Sequence, residues 1–162
     1  MGVLHTMITI RQCTKKDLPP CGAFLRQIYA EPPYCENWSE ERATAYLESF
    51  FHIDPQGALV AVEGDNEIVG AVFGYSYPWQ TGSMLFLQEL FVTIYYRRRG
   101  IAGDLVRQLV EKKGTNSHVA LIVREGTVAA RFYEKLGLSK SQFYELRSGR
   151  LNRSDFRGGH LV

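Results

Sequence analysis

Apolar residues follow two different spacings in the first third of the chain. Alternation of apolar and polar residues over residues 7–11 is typical of a half-buried strand. Spacings of three and four residues then predict two amphipathic helices, one reaching about Tyr29 and one beginning after Ser39. In the second helix the apolar positions are Ala43, Tyr46, Leu47, Phe50 and Phe51. The pattern therefore predicts a strand followed by two helices.

The middle of the chain predicts three consecutive strands, at residues 58–64, 67–77 and 84–93. Asp65 and Asn66 form a hairpin-type connection between the first two, and the segment PWQTGS separates the second from the third. Because strands joined by short connections pair antiparallel, the last two strands predict an antiparallel meander.

Helical and apolar patterns alternate in the last third of the chain. The helical stripe that follows Gly100 consists of Ile101, Leu105, Val106, Leu109 and Val110. A strand that is apolar on both faces is predicted at 118–125, a helix at about 127–136 and a last strand at 141–148. The resulting order, βααβββαβαβ, predicts an α+β or mixed α/β domain.

Composition limits the classes of protein that this pattern can represent. The chain has 162 residues, of which 45% are hydrophobic and 22% charged, and this suits one soluble domain with its own core. A net charge of +2 is too small to indicate a nucleic-acid partner by itself. Cys13, Cys21 and Cys35 match no zinc spacing, so we expect free thiols, no metal and a cytoplasmic protein. No apolar run approaches the ~20 residues of a membrane helix, and no membrane contact is expected.

The two ends of the chain lack these patterns. Residues 1–6 precede a second methionine, Met7, and are interpreted as a start-site or tag remnant. Residues 149–162 hold three glycines and are interpreted as a C-terminal tail. The domain is therefore predicted to span residues 7–148.

The segment YYRRRGIAGD, at residues 95–104, connects a predicted strand to a predicted helix. Unpaired amides in the first turn of a helix attract an anion, and Gly100 lets the backbone approach a bulky ligand closely. Ala102 and Gly103 keep that turn thin, so a pyrophosphate suits the segment. A solvated basic turn is one alternative, and a nucleic-acid surface is another. The nucleic-acid surface would comprise Arg97, Arg98, Arg99, Arg147, Arg150, Arg153 and Arg157.

Two motifs, in order and at the correct spacing, make the chain resemble a known superfamily. The motif Arg97-x-x-Gly100-x-Ala102 is similar to the acetyl-CoA motif Q/R-x-x-G-x-G/A of the GNAT superfamily, the Gcn5-related N-acetyltransferases. The segment FYEKLGL, at residues 132–138, resembles a helix end of that superfamily, and EIVGAVFGY, at 67–75, resembles its third strand.

This resemblance covers roughly residues 7–148 and implies a three-layer fold whose mostly antiparallel mixed sheet splays between the fourth and fifth strands. It implies an N-acetyltransferase in which a primary amine attacks acetyl-CoA directly in a ternary complex. The acceptor would be a small-molecule or peptide amine, and a homodimer is compatible because dimers are common in the superfamily. The loop PPYCENW, at residues 32–38, loosely resembles the aminoglycoside-type members.

The superfamily pattern also implies roles for the main chain at matching positions. The backbone of Leu90 and Val92 is expected to pair with the thioester and pantetheine, and the Leu90 amide could stabilise the oxyanion. The segment around the pyrophosphate would comprise Arg97, Arg98, Arg99, Gly100, Ile101, Ala102 and Gly103. Superfamily members often carry Asn seven residues before the helical tyrosine, where this chain has Gly126.

Three side chains are candidates for proton transfer. Tyr133 matches the tyrosine that protonates the coenzyme thiolate, although its place on an apolar helix stripe also fits plain core packing. Glu89 aligns with an acidic residue proposed as the base in some members, and the alternative is an ordinary solvent-facing strand residue. Glu125 is a weaker candidate, for which a surface role fits better.

The acceptor pocket is expected between the first two helices and the third-to-fourth-strand connection. These segments are rich in aromatic and acidic residues, which favour a cationic amine. Tyr34, Glu36 and Trp79 are the candidate pocket residues, and the alternative is that the aromatic residues only stiffen the loops.

Three functions remain open on this basis. An acetyltransferase predicts acetyl-CoA binding with thiol release, and a degenerate sensor domain predicts binding without turnover. A nucleic-acid-binding module predicts salt-dependent binding. Gly100 favours the first two, because a base-reading surface does not need a glycine that opens a helix.

Overall fold

Five strands form one mixed sheet in the structure, which is a computed structural model. Residues 7–114 and 117–152 are described. The predicted remnant at residues 1–6 lies outside them, and so does most of the tail, including Arg153 and Arg157.

The observed elements follow the predicted order from the first strand to the last helix. The strands are β1 (Ile8–Gln12), β2 (Ala58–Glu63), β3 (Glu67–Pro78), β4 (Ser83–Val92) and β5 (Ser117–Leu121). The helices are α1 (Leu18–Ala30), α2 (Glu40–Ile53), α3 (Ile101–Lys113) and α4 (Val128–Lys135). Pro19 and Pro20 lie in the first turn of α1, where a missing N–H costs no hydrogen bond. Ser39 caps α2, because its hydroxyl accepts the amide of Arg42 at 3.2 Å.

The sheet has the strand order β1-β2-β3-β4-β5. The first four strands are antiparallel neighbours, and the pairing of β3 with β4 confirms the meander predicted over residues 67–93. The strand β5 runs parallel to β4 after the crossover through α3, and it pairs Ser117–Leu121 with Ser83–Leu87.

Helices cover both faces of the sheet, which confirms the predicted three layers. On one face α1 and α2 pack over fully buried side chains that include Leu47 and Phe73. On the other face α3 and α4 pack over a second cluster that includes Leu85 and Leu105. These two apolar clusters hold the strands that carry the candidate site.

The last predicted strand, at residues 141–148, is not formed, so the prediction of a sixth strand was wrong. Here the Ser141 hydroxyl accepts the amides of Phe143 at 3.2 Å and Tyr144 at 3.0 Å. Such local side-chain bonds compete with a strand ladder for the backbone amides. Phe143 is 89% exposed as a result. The strand predicted at 118–125 is also shorter than expected, because β5 ends at Leu121.

A bulge in β4 lies where the sheet opens. Phe73 is opposite Glu89 and Gly74 is opposite Leu87, so Gln88 is the extra residue. At Gly74 a Cβ atom would lie 2.9 Å from the carbonyl oxygen of Phe86, and glycine is therefore required for this close approach. Beyond Leu87, β5 no longer pairs with β4 in the described residues, which confirms the predicted splay.

Candidate active site

The loop between β4 and α3 turns its backbone through the left-handed region twice. Arg98 has φ 62° and Gly100 has φ 81°. A non-glycine residue with such a φ is uncommon and costs of order 1–3 kcal/mol, and such strain is often found at functional sites. Turns that include left-handed residues can direct backbone N–H groups toward one concavity, which suits an anion.

The first turn of α3 offers further backbone donors. Its N-cap is Gly100, which has no side chain to satisfy the first amides, and the amide of Asp104 bonds to the Gly100 carbonyl at 3.0 Å. Space is open where a Cβ atom would stand at both Gly100 and Gly103. Ile101 is buried in the core and Ala102 is partly buried, so the main chain faces this space without large side chains in the way.

Two of the three arginine side chains bind to the protein itself. Arg97 Nε donates to the Val92 carbonyl at 3.0 Å and closes the loop onto the end of β4. The Arg99 guanidinium lies over the Tyr96 ring, 4.9 Å from its centroid, and the Tyr96 hydroxyl bonds to Glu63. Main-chain amides are therefore the groups of this loop that are best placed for a ligand.

The opening between the strands exposes the outer side of β4 beyond its bulge. Leu90 and Val92 pair with Val72 and Gly70 of β3 on the inner side, and β5 does not reach them on the other. Residues 122–126 leave β5 toward α4, and Gly126 has φ 75° with open space at its Cβ position. The opening can therefore admit an extended chain alongside Leu90 and Val92.

The carboxylate of Glu89 is partly buried on the α1–α2 face and held by two tyrosines. The Tyr29 hydroxyl donates to Oε2 at 2.9 Å and the Tyr46 hydroxyl to Oε1 at 2.8 Å. Burial raises the pKa of the Glu89 carboxyl above its usual range, and the nearby Glu36 charge adds to the rise, while the two hydrogen bonds oppose it. Glu89 is therefore a fixed carboxylate with raised basicity.

The bulge explains how consecutive residues of β4 reach the same tyrosine. Gln88 Nε2 donates to the Tyr46 hydroxyl at 2.8 Å, and that hydroxyl donates to Glu89. Alternation in a regular strand would send these two side chains to opposite faces.

Sequence analysis missed Tyr29, Tyr46 and Gln88, since the tyrosines fit the apolar helix pattern. The available signal was that a tyrosine in a buried stripe still needs a hydrogen-bond partner.

Tyr133 lies on the α3–α4 side of the sheet and is 8% exposed. Burial raises the pKa of its phenol, and the charge of Glu89 adds to the rise, so the phenol stays protonated at neutral pH. Its hydroxyl makes no hydrogen bond within the described part of the chain. Tyr133 is therefore a buried, protonated phenol that lies within reach of the charge of Glu89.

The loop between α1 and α2 brings two of the three predicted pocket residues toward Glu89. Tyr34 packs edge-on against Tyr29 with 4.9 Å between ring centroids, and Tyr29 in turn donates to Glu89. Trp38 Nε1 donates to Glu36 Oε2 at 2.7 Å. Arg124, in the segment after β5, donates to the Pro33 carbonyl and ties this loop to the far side of the opening.

Trp79 lies apart from Glu89, at the outer end of a row of aromatic rings. Successive rings in this row have centroids 5.0–6.2 Å apart. The row consists of Trp38, Tyr46, Phe50, Tyr75, Tyr77 and Trp79. Trp79 is 41% exposed, so the row leads from the buried carboxylate to the surface.

Other groups near the site have plain structural roles. Glu125 is exposed and pairs with Lys140 at 3.2 Å.

A separate cavity of about 260 Å³ lies between α1 and the loop after β4, lined by residues that include Ile28, Tyr95 and Arg97. In the described ranges no group of three or more His, Cys, Asp or Glu side chains could hold a metal ion, and no helix could span a membrane.

The chain belongs to the acetyltransferase (GNAT) family. The family model matches residues 23–138, which include the sheet from β2 to β5 and the loop before α3. This match confirms the resemblance seen in the two sequence motifs. No curated protein matches the chain.

Solved structures share the fold at low sequence identity. One, described as a possible acetyltransferase from Clostridium difficile 630, is 20% identical with a TM-score of 0.71, over 90% of this chain and 99% of that one. The aminoglycoside N-acetyltransferase AAC(6')-Iy in complex with CoA is 20% identical with a TM-score of 0.69, over 93% and 100%. The diaminobutyrate acetyltransferase EctA from Paenibacillus lautus, in complex with its substrate and coenzyme A, is 21% identical with a TM-score of 0.61, over 82% and 74%.

Proposed function

We propose that this protein is an acetyl-CoA-dependent N-acetyltransferase that acts on a primary amine by direct attack in a ternary complex. The observation that carries the proposal is the carboxylate of Glu89, which the hydroxyls of Tyr29 and Tyr46 hold at 2.9 Å and 2.8 Å; the buried phenol of Tyr133, whose pKa the Glu89 charge raises, is the candidate second group. One group can accept a proton and the other can donate one, and both are needed for acyl transfer from a thiol to an amine.

The residues before and in the first turn of α3 fit the diphosphate of acetyl-CoA. Arg98 and Gly100 are left-handed, which favours a turn that presents backbone amides to an anion, and space is open at the Cβ positions of Gly100 and Gly103. Amides from Arg98 to Gly103 would hold the diphosphate, and the exposed backbone of Leu90 and Val92 would hold the pantetheine arm. Acetyl-CoA supplies an acetyl group as a thioester, which is reactive toward a neutral amine.

Glu89 prepares the amine for attack. A primary amine reaches the site mainly as an ammonium ion, which has no free electron pair. Glu89 accepts one of its protons, and the raised pKa of this carboxyl makes the transfer easier. Tyr29 and Tyr46 hold both carboxylate oxygens in place during this step.

Tyr133 and the Leu90 amide serve the other half of the reaction. As the carbon–nitrogen bond forms, the Leu90 amide would donate to the carbonyl oxygen on which charge develops. As the carbon–sulfur bond breaks, the Tyr133 hydroxyl gives its proton to the sulfur, and the second proton lost by the nitrogen restores the phenol. The net products are an N-acetylated amine, coenzyme A and one released proton.

The acceptor would approach from the α1–α2 side, where Tyr34 packs on Tyr29, the partner of Glu89, and where the charge of Glu36 acts on Glu89. An ammonium ion is attracted by carboxylates and by the faces of aromatic rings. Two of the similar solved structures are an aminoglycoside N-acetyltransferase and a diaminobutyrate acetyltransferase. Aminoglycosides and diaminobutyrate both carry amino groups, which supports an amine acceptor for this chain.

Binding and turnover of acetyl-CoA test the proposal together. Saturating acetyl-CoA should raise the melting temperature, since a ligand of the folded state stabilises it. A screen of polyamines, aminoglycosides, amino acids and peptides should then give amine-dependent thiol release. Stabilisation without thiol release for any amine would instead favour the sensor function, and neither response would overturn both.

A further inference from the structure

Glu36 and Glu89 lie at the two ends of a pair of aromatic rings. Glu36 accepts a hydrogen bond from Trp38 Nε1 at 2.7 Å, and the Trp38 ring packs against Tyr46 with 5.2 Å between centroids. Tyr46 in turn donates to Glu89 at 2.8 Å. These contacts fix both carboxylates relative to the same two rings.

Neither carboxylate has a cationic partner among the described residues. Glu89 accepts hydrogen bonds from two tyrosines, and Glu36 accepts one from a tryptophan. The charge of Glu36 nevertheless acts on its neighbours, because it raises the pKa of Glu89 and of Tyr46. Two like charges that share one region favour a ligand that brings positive charge to both.

The rings between the carboxylates suit the middle of such a ligand. Trp38 and Tyr46 are partly buried, so each still presents some surface. An apolar spacer can pack on these rings, and an ammonium group near a ring face gains cation–π attraction as well. A dication would therefore meet a carboxylate, a ring surface and a second carboxylate in succession.

We propose that the acceptor carries two ammonium groups on a short apolar spacer. The first loses its proton to Glu89 and is acetylated, and the second binds Glu36 beside Trp38. Glu36 thereby selects di- and polyamines over monoamines. This inference rests on the proposed function, because it takes Glu89 as the position of the reacting nitrogen.

Matched pairs of amines test this selection. The value of kcat/KM for thiol release should be higher, by up to about fivefold, for 1,4-diaminobutane than for butylamine, because Glu36 is exposed and an exposed ion pair contributes little more than that. The same comparison for 1,3-diaminopropane with propylamine tests the spacer length. A diamino sugar with its monoamino counterpart shows whether a ring can replace the alkyl spacer.

The variant Glu36→Gln should lower the diamine-to-monoamine ratio toward one. Glu40→Gln removes an exposed carboxylate at the start of α2 and should keep the wild-type ratio, which controls for general loss of negative charge. A ratio near one in the wild type would overturn the inference, and so would a ratio that Glu36→Gln leaves unchanged.

Calorimetric titration separates this inference from the proposed function. The two amines 1,4-diaminobutane and butylamine are each titrated into the wild type and into Glu36→Gln with coenzyme A present. Tighter diamine binding in the wild type alone supports the role of Glu36 even if no amine gives thiol release. Equal affinities for both amines in both proteins would contradict it even if acetylation takes place.

Discussion

The two sides of the opening between β4 and β5 are built in different ways. On the coenzyme side, the candidate ligands are backbone amides placed by left-handed residues, and the Arg97 and Arg99 side chains bind to the protein itself. On the acceptor side, the candidate groups are carboxylates and rings brought together from separate elements. Backbone recognition is local in sequence, whereas the acceptor side depends on long-range packing.

The difference has consequences for substitution. A backbone site is damaged by a change of conformation or by a side chain that blocks it, and little by loss of a neighbouring charge. A side-chain site is damaged by removal of a single functional group.

The largest effect is expected for Gly100→Glu on coenzyme binding. A non-glycine residue at φ 81° costs about 1–2 kcal/mol, and the new carboxylate would repel the diphosphate. We expect calorimetry to detect no binding of coenzyme A. Gly100→Ala adds the conformational cost without the charge and should bind with intermediate affinity.

Arg98→Ala is the matched test of charge in the same loop. It should weaken coenzyme binding by about tenfold or less, because a single exposed charge contributes roughly 0–1 kcal/mol. An equal loss of affinity in Gly100→Glu and Arg98→Ala would show that the loop acts as a charge patch.

Glu89→Gln should lower kcat/KM by about 10²- to 10⁴-fold, which is the usual contribution of a general base. In the wild type, kcat/KM should fall as the pH drops through the pKa of Glu89, which lies above the ordinary value of about 4.3. The variant should lack this acidic limb. If the limb persists unchanged in Glu89→Gln, another group is the base.

The same variant should keep or gain stability at neutral pH. The folded state binds the Glu89 proton more tightly than the unfolded state, so ionisation of this carboxyl costs stability as the pH rises through the raised pKa. Thermal melts of both proteins from pH 4 to pH 8 should therefore diverge with rising pH, in favour of the variant. Marked destabilisation of Glu89→Gln at neutral pH would indicate a structural carboxylate.

Tyr133→Phe should lower kcat by about ten- to a hundredfold and leave the affinity for coenzyme A unchanged. This loss is at or below the smallest rate contribution that is usual for a general acid, about 10²-fold, because a thiolate is a good leaving group even without a proton. Single-turnover thiol release and calorimetry measure the two quantities. Loss of affinity and of melting temperature together would show that Tyr133 mainly packs the core.

The smallest effect is expected for Gly126→Asn. Asparagine tolerates φ 75° better than most residues, and the space at the Cβ position is open. We expect little change in melting temperature and a lower KM for acetyl-CoA, since Asn is the residue often found there in the superfamily. Gly126→Val is the control, because a β-branched residue does not fit this φ and should destabilise.

Most of the fold could be predicted from local patterns. Periodicity gave the meander and all four helices, and the glycine at position 100 marked the loop before α3. The prediction of a strand at 141–148 was wrong. Its apolar residues suggested a strand, but the Ser141 hydroxyl accepts amides that a strand would use for pairing. The β-propensity of a segment does not reveal that a nearby side chain competes for its backbone amides.

The acceptor side could be predicted only in part. Tyr34 and Glu36 were proposed from composition and stay predictions as pocket residues, although Tyr34 packs on Tyr29 and the charge of Glu36 acts on Glu89. Tyr29 and Tyr46 could not be assigned to Glu89, because each lies more than forty positions away in sequence. The bulge at Gln88 also has no signal in the alternation of β4, although it determines which face Glu89 occupies.

A crystal structure with bound coenzyme A tests the central claim most directly. We expect the diphosphate on the amides of residues 98–103, the pantetheine arm beside Leu90 and Val92, and the sulfur between Glu89 and Tyr133. Coenzyme A bound instead in the cavity between α1 and the loop after β4, with the opening between β4 and β5 unused, would contradict it.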